Sequence, residues 1–402
     1  MLPPDSQLGR LSIYSPRLDD VEEWRISALK EDSGMRVGSF NVENLFERAT
    51  ALDQPTWADG RRALELNAKV NALLSKQTYT EGDKKAIIKA LTDLGLAKDD
   101  DGGKFARLRQ NRGHLLKRSN GTLQIVASGR DSWIGWVELK TREVNEFATQ
   151  HTAMVIREVN PDILAIIEME SRPALVHFSE VLLPMVGATP FAHVMLIDGN
   201  DDRGIDVGIA TRAGFDIDRM QSHVDDADAD GQIFSRDCPE YVLTTPNGNS
   251  LLLLVNHLKS KGFGQQVDSN KKRERQARRI AALYNQLKNQ QPNIIVLGDF
   301  NDTPDSAPLK PLLQDTDLED VSKHAKFKSD GRPGTFKNGA KSDKLDYILL
   351  SPALRARVTD AGVFRKGVWG GINGTLFEHF STMTREVHAA SDHAALFVDL
   401  NL

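Results

Sequence analysis

The chain has 402 residues, 40% of them hydrophobic, a net charge of -5 and a single cysteine, Cys238. This is enough apolar material for a sizeable core, and it excludes a disordered protein, an intramolecular disulfide framework and a cysteine-based zinc cluster. The mild acidity excludes a global pull toward polyanions, so nucleic acid or anionic membrane would have to meet a local basic patch.

The opening, MLPPDSQLGRLSIYSPRLDD, lacks a basic stretch leading into an apolar run, so no secretory signal is expected. No segment approaches the roughly 18 to 20 apolar residues of a membrane span. A soluble, cytoplasmic protein is the expectation, with residues 1–34 as an N-terminal extension. Apolar runs predict buried strands over 36–42, 162–169, 205–211, 250–258, 293–300, 345–351 and 394–400. Between the first two, residues from about 47 to 155 read as an insertion: a helical stretch, a Gly- and Asp-rich break, then a basic run. From Lys104 to Arg142 nine Lys or Arg stand against Asp131 and Glu138. Within that run Arg107, Arg109, Arg112, Lys117 and Arg118 precede Trp133 and Trp136. Rings beside cations can stack on exposed bases, although tryptophans more often fill cores.

Further along, DDADADG at 225–231 alternates Asp as calcium loops do but lacks their twelfth-position Glu, so it reads as a solvated loop. Residues 269–290 read as a helix. Its cations belong to a run of eight Lys or Arg from His257 to Arg279, against Asp268 and Glu274. Such a run fits either a phosphate track or a solvated helix face. Short apolar strands with helices between them predict an α/β fold.

Most of these strands end in, or are flanked by, one set of residue types: Asn41 and Glu43, Glu168 and Glu170, Asp206, Asn256 and His257, Asp299 and Asn301, Asp346, Asp392 and His393. A single Asp or Asn at a strand end is usually a turn or cap residue. Turns give no reason for seven strands to prefer carboxylate, amide and imidazole. Convergence of these groups on one pocket is therefore expected.

The motifs GSFNVENL (38–45), PDILAIIEME (161–170), RGIDVGI (203–209), VNHLKSK (255–261), VLGDFNDTP (296–304), DKLDYILLSP (343–352) and SDHAAL (391–396) occur in the order expected of the endonuclease/exonuclease/phosphatase superfamily. The chain resembles that superfamily over roughly 35–46 and 155–400, outside the insertion. Each motif alone is weak; the ordered set of GDFN, LDYI and SDH is specific. The resemblance implies a catalytic domain over 35–402 with a four-layer α/β sandwich: two packed, mostly antiparallel β-sheets flanked by helices, with the site where strand ends meet. It assigns Asn41, Glu168 and Asp392 to a metal site, with Glu43 where a further acidic residue is common. Asp299 and Asn301 fall to the nucleophilic water and the phosphate, His393 to the phosphate with Asp346 as its partner, and His257 to the phosphate as a second histidine. Asn256, Lys259 and Arg203 are the expected substrate contacts. One departure is Ile167, where the superfamily often has Gln; Glu170 reads either as an extra acid or as a helix start.

The chemistry of the residues agrees with these roles. Phosphodiester hydrolysis needs in-line attack by hydroxide, neutralised charge on the non-bridging oxygens and help for the leaving alkoxide. Hard oxygen donors without a Cys or multi-His set suit Mg²⁺ or Mn²⁺. Burial beside other acids would make Asp299 a better base, and Asp346 would favour the imidazolium form of His393. Asn301, two residues beyond Asp299, is expected on the same side of an extended chain. NHLKSKG resembles the bacterial nuclease branch. The expected activity is that of a metal-dependent nuclease acting on nucleic acid, DNA favoured over RNA. A phosphomonoesterase or a phospholipid or inositol-phosphate hydrolase is the alternative, and no apolar hairpin or amphipathic anchor favours a lipid. A binding module without catalysis is disfavoured by competent residues at every position.

Overall fold

The structure, a computed structural model, describes residues 34–43, 45–51, 57–119, 122–201, 204–261 and 265–402. Two expectations, the extension up to residue 33 and the substrate contact Arg203, lie outside the described residues. Residues 35–402 form one compact unit.

All seven predicted strands form, and they divide between two sheets. The seven-stranded sheet runs Phe327–Lys328, Val358–Phe364, Ala395–Asn401, Gly34–Asn41, Ile163–Met169, Asp206–Thr211, His193–Ile197. The six-stranded sheet runs Asp216–Gln221, Glu240–Thr244, Ser250–His257, Ile294–Asp299, Asp346–Leu350, Glu319–Asp320. Most neighbours are antiparallel, but Gly34–Asn41 runs parallel to Ile163–Met169 and Ser250–His257 parallel to Ile294–Asp299, as does the short edge pair Phe327–Lys328 with Val358–Phe364. A parallel pair needs a crossover. The second pair is joined through the helix Gln266–Leu287, and the first through the insertion and the helix Glu146–Val159.

The central strands read as unbroken apolar runs because both faces are covered. Val37, Ile163, Ile209, Leu253, Ile295, Ile348 and Val398 fill the core between the sheets. On the outer face of the larger sheet, Phe40, Leu164 and Ile166 pack with Val155 and Ile156 of a helix. On that of the smaller sheet, Leu252, Val296 and Leu349 pack with Ile280 and Tyr284. This is the four-layer α/β sandwich. Four longer strands escape the apolar pattern: His193–Ile197, Asp216–Gln221, Glu240–Thr244 and Val358–Phe364. They lie at or next to sheet edges, where less of each residue must be hidden.

The insertion has its own core, with Leu64, Leu91, Leu108, Trp133 and Val137 buried together. Two helices, Trp57–Leu74 and Glu81–Asp93, pack with the strand pair Ala106–Arg112 and Ile134–Leu139 and the hairpin Leu116–Ser119 with Thr122–Ile125. The second helix starts on a reciprocal cap between Thr80 and Asp83. A two-strand stalk, Glu47–Ala49 against Thr141–Glu143, joins the insertion to the sandwich.

The structure adds partners to two charged stretches. The acidic stretch 225–231 is largely exposed, as expected of a solvated segment, and within it a small hairpin, Ala227–Asp228 with Gly231–Gln232, meets the basic helix. Arg279 Nε lies 2.7 Å from Asp226 Oδ2, Lys271 Nζ 3.1 Å from Asp230 Oδ2, and Arg275 pairs with Asp228. Several helix cations are thus paired with this hairpin, which favours the solvated-face reading over the phosphate track. Arg118 is likewise structural, holding Asp100 at 2.7 Å and the carbonyls of Leu96 and Ala97. Trp133 is a core residue, fully buried and donating to the Tyr79 hydroxyl.

Candidate active site

The close pairing of two strands brings the site together. In Ile294–Asp299, Gly298 has φ +127°, and a Cβ there would lie 2.0 Å from the Asn256 carbonyl oxygen. Only glycine permits that approach. Its effect is a register in which Asp299 stands beside His257 on one side and Asp346 on the other.

Asp299 Oδ2 is the meeting point. It lies 3.1 Å from Asn301 Nδ2, 3.3 Å from Asn41 Nδ2, 3.6 Å from His257 Nε2 and 3.9 Å from His393 Nε2. His257 Nε2 is also 3.5 Å from Glu168 Oε1, and His393 Nε2 is 3.8 Å from Asp392 Oδ1. The far side of His393 is fixed, since Nδ1 lies 2.8 Å from Asp346 Oδ2. Asp392 is tied to Glu43, whose Oε2 accepts from the Asp392 backbone N–H at 3.1 Å, and the Glu43 N–H donates to Asn41 Oδ1 at 3.0 Å. Eight of the residues singled out in the sequence thus form one connected cluster with Asp299.

Backbone strain concentrates at the same place. The non-glycine residues with positive φ among the described residues are Glu43, Asn160, Glu168, Asn301 and Lys337. Asn160 is an ordinary left-handed helix cap. Glu43, Glu168 and Asn301 belong to the cluster, and the Lys337 N–H donates to the Asp392 carbonyl at 2.7 Å. Such conformations cost about 1 kcal/mol or more each and persist where the surroundings enforce them, as at functional sites. Asn301 also corrects an expectation: it reaches Asp299 through a tight turn, with its N–H donating to Asp299 Oδ1 at 2.8 Å, and not by strand alternation.

Burial sets the electrostatics. Desolvation pushes the Asp299 carboxyl well above the usual range, and the charges of Asp346 and Glu168 add to the rise, while His393 opposes it. For His393, burial favours the neutral ring, but Asp346, Asp299 and Asp392 outweigh it and hold the imidazole well above its ordinary value. Asp299 is thus a strengthened base and His393 a stabilised cation.

Other expected residues show contacts away from Asp299 Oδ2. Asn256 is fully buried and donates to the Leu254 carbonyl at 3.0 Å; no hydrogen bond links it to the other candidates. Lys259 is held by its backbone, which bonds to Gln276 and Arg273 of the basic helix. Glu170 accepts from the N–H groups of Leu45 and Phe46 at 2.8 and 2.7 Å, so it anchors the loop carrying Glu43. Asp302, in the GDFND motif, is buried against Arg273, with Nε at 2.9 Å, and pairs with Lys261. It fixes the loop to the helix.

Two further residues serve the site without any sequence signal. Thr335 donates to Asp346 Oδ2 at 2.5 Å, completing a chain to His393. Arg236, fully buried, sits 2.8 Å from Asp201 and donates from Nη1 to the Leu258 carbonyl at 3.4 Å. The same carbonyl receives Asn301 Nδ2 at 3.2 Å. Thr335 and Arg236 lie 11 and 22 residues from those partners, and no spacing rule covers such distances.

The donor set fits a divalent cation. Glu168, His257 and Asp299 each offer an atom within 4.8 Å of the others, as do Asp299, Asp346 and His393. Clustered carboxylates of this kind repel one another unless a cation or proton intervenes, and oxygen-rich donors select a hard ion.

A family model described as Endonuclease/Exonuclease/phosphatase family matches residues 145–393, beginning just past the stalk strand Thr141–Glu143. No curated protein gives a significant match. Similar solved structures include the mannosyl-6-phosphatase of Bacteroides thetaiotaomicron VPI-5482, at 18% identity and TM-score 0.46 over 62% of this chain and 89% of that one. Truncated TDP2 of Caenorhabditis elegans shows 16% identity and TM-score 0.45 over 63% and 90% of the two chains. The human Nocturnin catalytic domain with bound sulfate shows 16% identity and TM-score 0.44 over 64% and 87%.

Proposed function

Because the chain belongs to the endonuclease/exonuclease/phosphatase family, whose members hydrolyse phosphoester bonds, we propose that it is a metal-dependent nuclease that cuts phosphodiester bonds, DNA being the favoured substrate. The observation that carries this reading is the meeting of Asn41, Asn301, His257 and His393 around one buried oxygen, Asp299 Oδ2.

Asp299 takes a proton from the attacking water, and its raised basicity suits that task. Asn301, bonded to Asp299 through both backbone and side chain, orients the water without adding charge. His393, held as a cation by Asp346, donates to a phosphate oxygen as negative charge builds there. His257 approaches the same region from the neighbouring strand. Glu168, Asp392, Asn41 and Glu43 would hold Mg²⁺ or Mn²⁺. Such an ion supplies charge neutralisation at the phosphate and favours deprotonation of water.

A diester is preferred over a monoester because the chain adds a basic, tryptophan-bearing insertion that a small phosphate ester would not require. Among the described residues no helix is long and apolar enough to cross a membrane. The test is a gel assay with Mg²⁺ or Mn²⁺ on supercoiled plasmid, linear single- and double-stranded DNA, and RNA, with EDTA and Asp299→Ala as controls. Metal-dependent cutting lost in the variant supports the proposal. Phosphate release from monoesters with no cutting of any polymer would replace it with the phosphomonoesterase reading.

A further inference from the structure

The part of the insertion up to Glu143 lies outside the matched family span, and its described residues line a cleft of about 770 Å³. One wall is the strand pair Ala106–Arg112 and Ile134–Leu139, on which Arg109 stands directly opposite Trp136 and Arg107 opposite Glu138. Glu138 Oε2 is shared by Arg107 Nε at 2.9 Å and Arg109 Nε at 2.8 Å. Arg130 joins them in the lining and is fixed by a 2.5 Å bond to the Gly135 carbonyl. In the lining three guanidiniums stand against one carboxylate, with Asp101 outside the lining also facing Arg107 and Arg109, so the cleft keeps a positive excess. The arginines of the helix Gln266–Leu287, by contrast, are largely met by the aspartates of the acidic hairpin and by Asp302.

Trp136 completes the pattern. Its neighbour Trp133 is fully buried, whereas Trp136 is 38% exposed within the same cleft. An exposed tryptophan by itself means little. An exposed indole flanked by surplus guanidiniums offers a flat face for a base and cations for the phosphates on either side of it. We infer that this cleft is a binding site for single-stranded nucleic acid, with an unpaired base stacked on Trp136 and the adjoining phosphates held by Arg107, Arg109 and Arg130. A duplex does not fit the chemistry, because its base faces are already covered by stacking within the helix.

Placement gives the site a purpose. Gly204 also lines the cleft, two residues before Asp206, and Asp206 pairs in register with Met169, the neighbour of Glu168. The stalk begins at Glu47, six residues past Asn41. The cleft is therefore bordered by segments that lead directly into the strands carrying Asn41 and Glu168. The inference rests on the nuclease reading for why a polymer comes to the protein, but binding is testable without cutting.

The experiment is fluorescence anisotropy of labelled 20-nucleotide oligo-dT, oligo-U and a 20-base-pair duplex with the full chain in EDTA, at low and high salt. Either single strand is expected to bind more tightly than the duplex, and the two arms tell DNA from RNA. Trp136→Ala should weaken single-strand binding about tenfold and Trp136→Phe should restore most of it. Arg109→Ala should weaken binding and flatten its salt dependence. Binding by Trp136→Ala equal to that of the parent, or a preference for duplex, overturns the inference. A chain that binds single strands through Trp136 but cuts no polymer keeps this inference and ends the nuclease reading. A chain that cuts polymers while Trp136→Ala binds like the parent does the reverse.

Discussion

His393 Nδ1 and Asp346 Oδ2 lie 2.8 Å apart across 47 residues of sequence, and Thr335 holds the same carboxylate oxygen from the other side. The imidazole is thereby fixed in position and in charge, with Nε2 turned toward Asp299 and Asp392. Asp346→Asn should keep the fold and lower kcat by about 10- to 100-fold, while KM changes little, because the cation matters most as charge develops on the phosphate. Steady-state kinetics on a chromogenic phosphodiester would decide it; an unchanged kcat would remove His393 from the mechanism.

Asp299→Asn keeps the shape of the site and removes a carboxylate crowded by Asp346 and Glu168. Hydrolysis should fall by about 10²- to 10⁴-fold, the range of general-base removal. In EDTA the same variant should melt above the parent chain, because a buried like-charge conflict is gone. Activity assays paired with thermal melts read both effects, and a variant that loses activity while melting lower would argue for mere misfolding.

Chelation should abolish hydrolysis and also lower the melting temperature. A cation bound only by the folded chain stabilises it by about 2.7 kcal/mol at a hundred times its Kd. Adding Mg²⁺ or Mn²⁺ back should restore both properties, and Glu168→Gln should blunt the thermal response. Melts of the chelated chain titrated with each ion, without substrate, provide the check.

His223 is buried between two carboxylates, with Nδ1 3.0 Å from Asp226 and Nε2 2.9 Å from Glu240. Burial favours the neutral ring, but Glu240 and Asp226 outweigh it against the opposing charge of Arg279, and the imidazole is raised above its ordinary value. A raised pKa means that the folded chain holds the proton more tightly than the unfolded one. The stabilisation is full below about pH 6.5 and fades as pH rises through the folded value. His223→Gln should therefore cost most at pH 5.5, about 3 kcal/mol as for other broken buried pairs, and less at pH 9. Denaturant melts at the two pH values test this; an equal loss at both would show that the ring acts only by packing.

Arg273 is wholly buried and meets Asp302 Oδ2 through Nε and Nη2 at 2.9 and 2.8 Å. Arg273→Ala leaves that carboxylate buried without its main partner, at a cost of about 3–5 kcal/mol. Chemical denaturation should show a lower midpoint with an unchanged slope.

The seven central strands were legible in the sequence because each is covered on both faces, which forces a run of apolar residues that no loop would carry. The recurrence of Asp, Asn, Glu and His at their ends was legible too, since side-chain type survives in the sequence even when position does not. Asn41, Glu168, Asp299, His393 and their neighbours could thus be named before their distances were known. Other features depended on contacts between distant segments. The basic helix could be read as a phosphate track or as a solvated face, and Asp226, Asp228 and Asp230 beside it became visible only in the fold, because charge in a sequence does not reveal its partner. Trp133 and Trp136 are three residues apart and look alike, yet one is core and the other lines a cleft, because Trp136 stands on the exposed face of the strand Ile134–Leu139 while Trp133, just before it, is buried in the core of the insertion. Thr335 and Arg236 reach their partners across 11 and 22 residues, separations that no spacing rule predicts. The sequence by itself determined which chemical groups are present and which segments must be buried, since those follow from residue type and local periodicity. The tertiary structure alone decided which charges neutralise one another and which remain to meet a ligand, because electrostatic energy depends on distance in space and not along the chain.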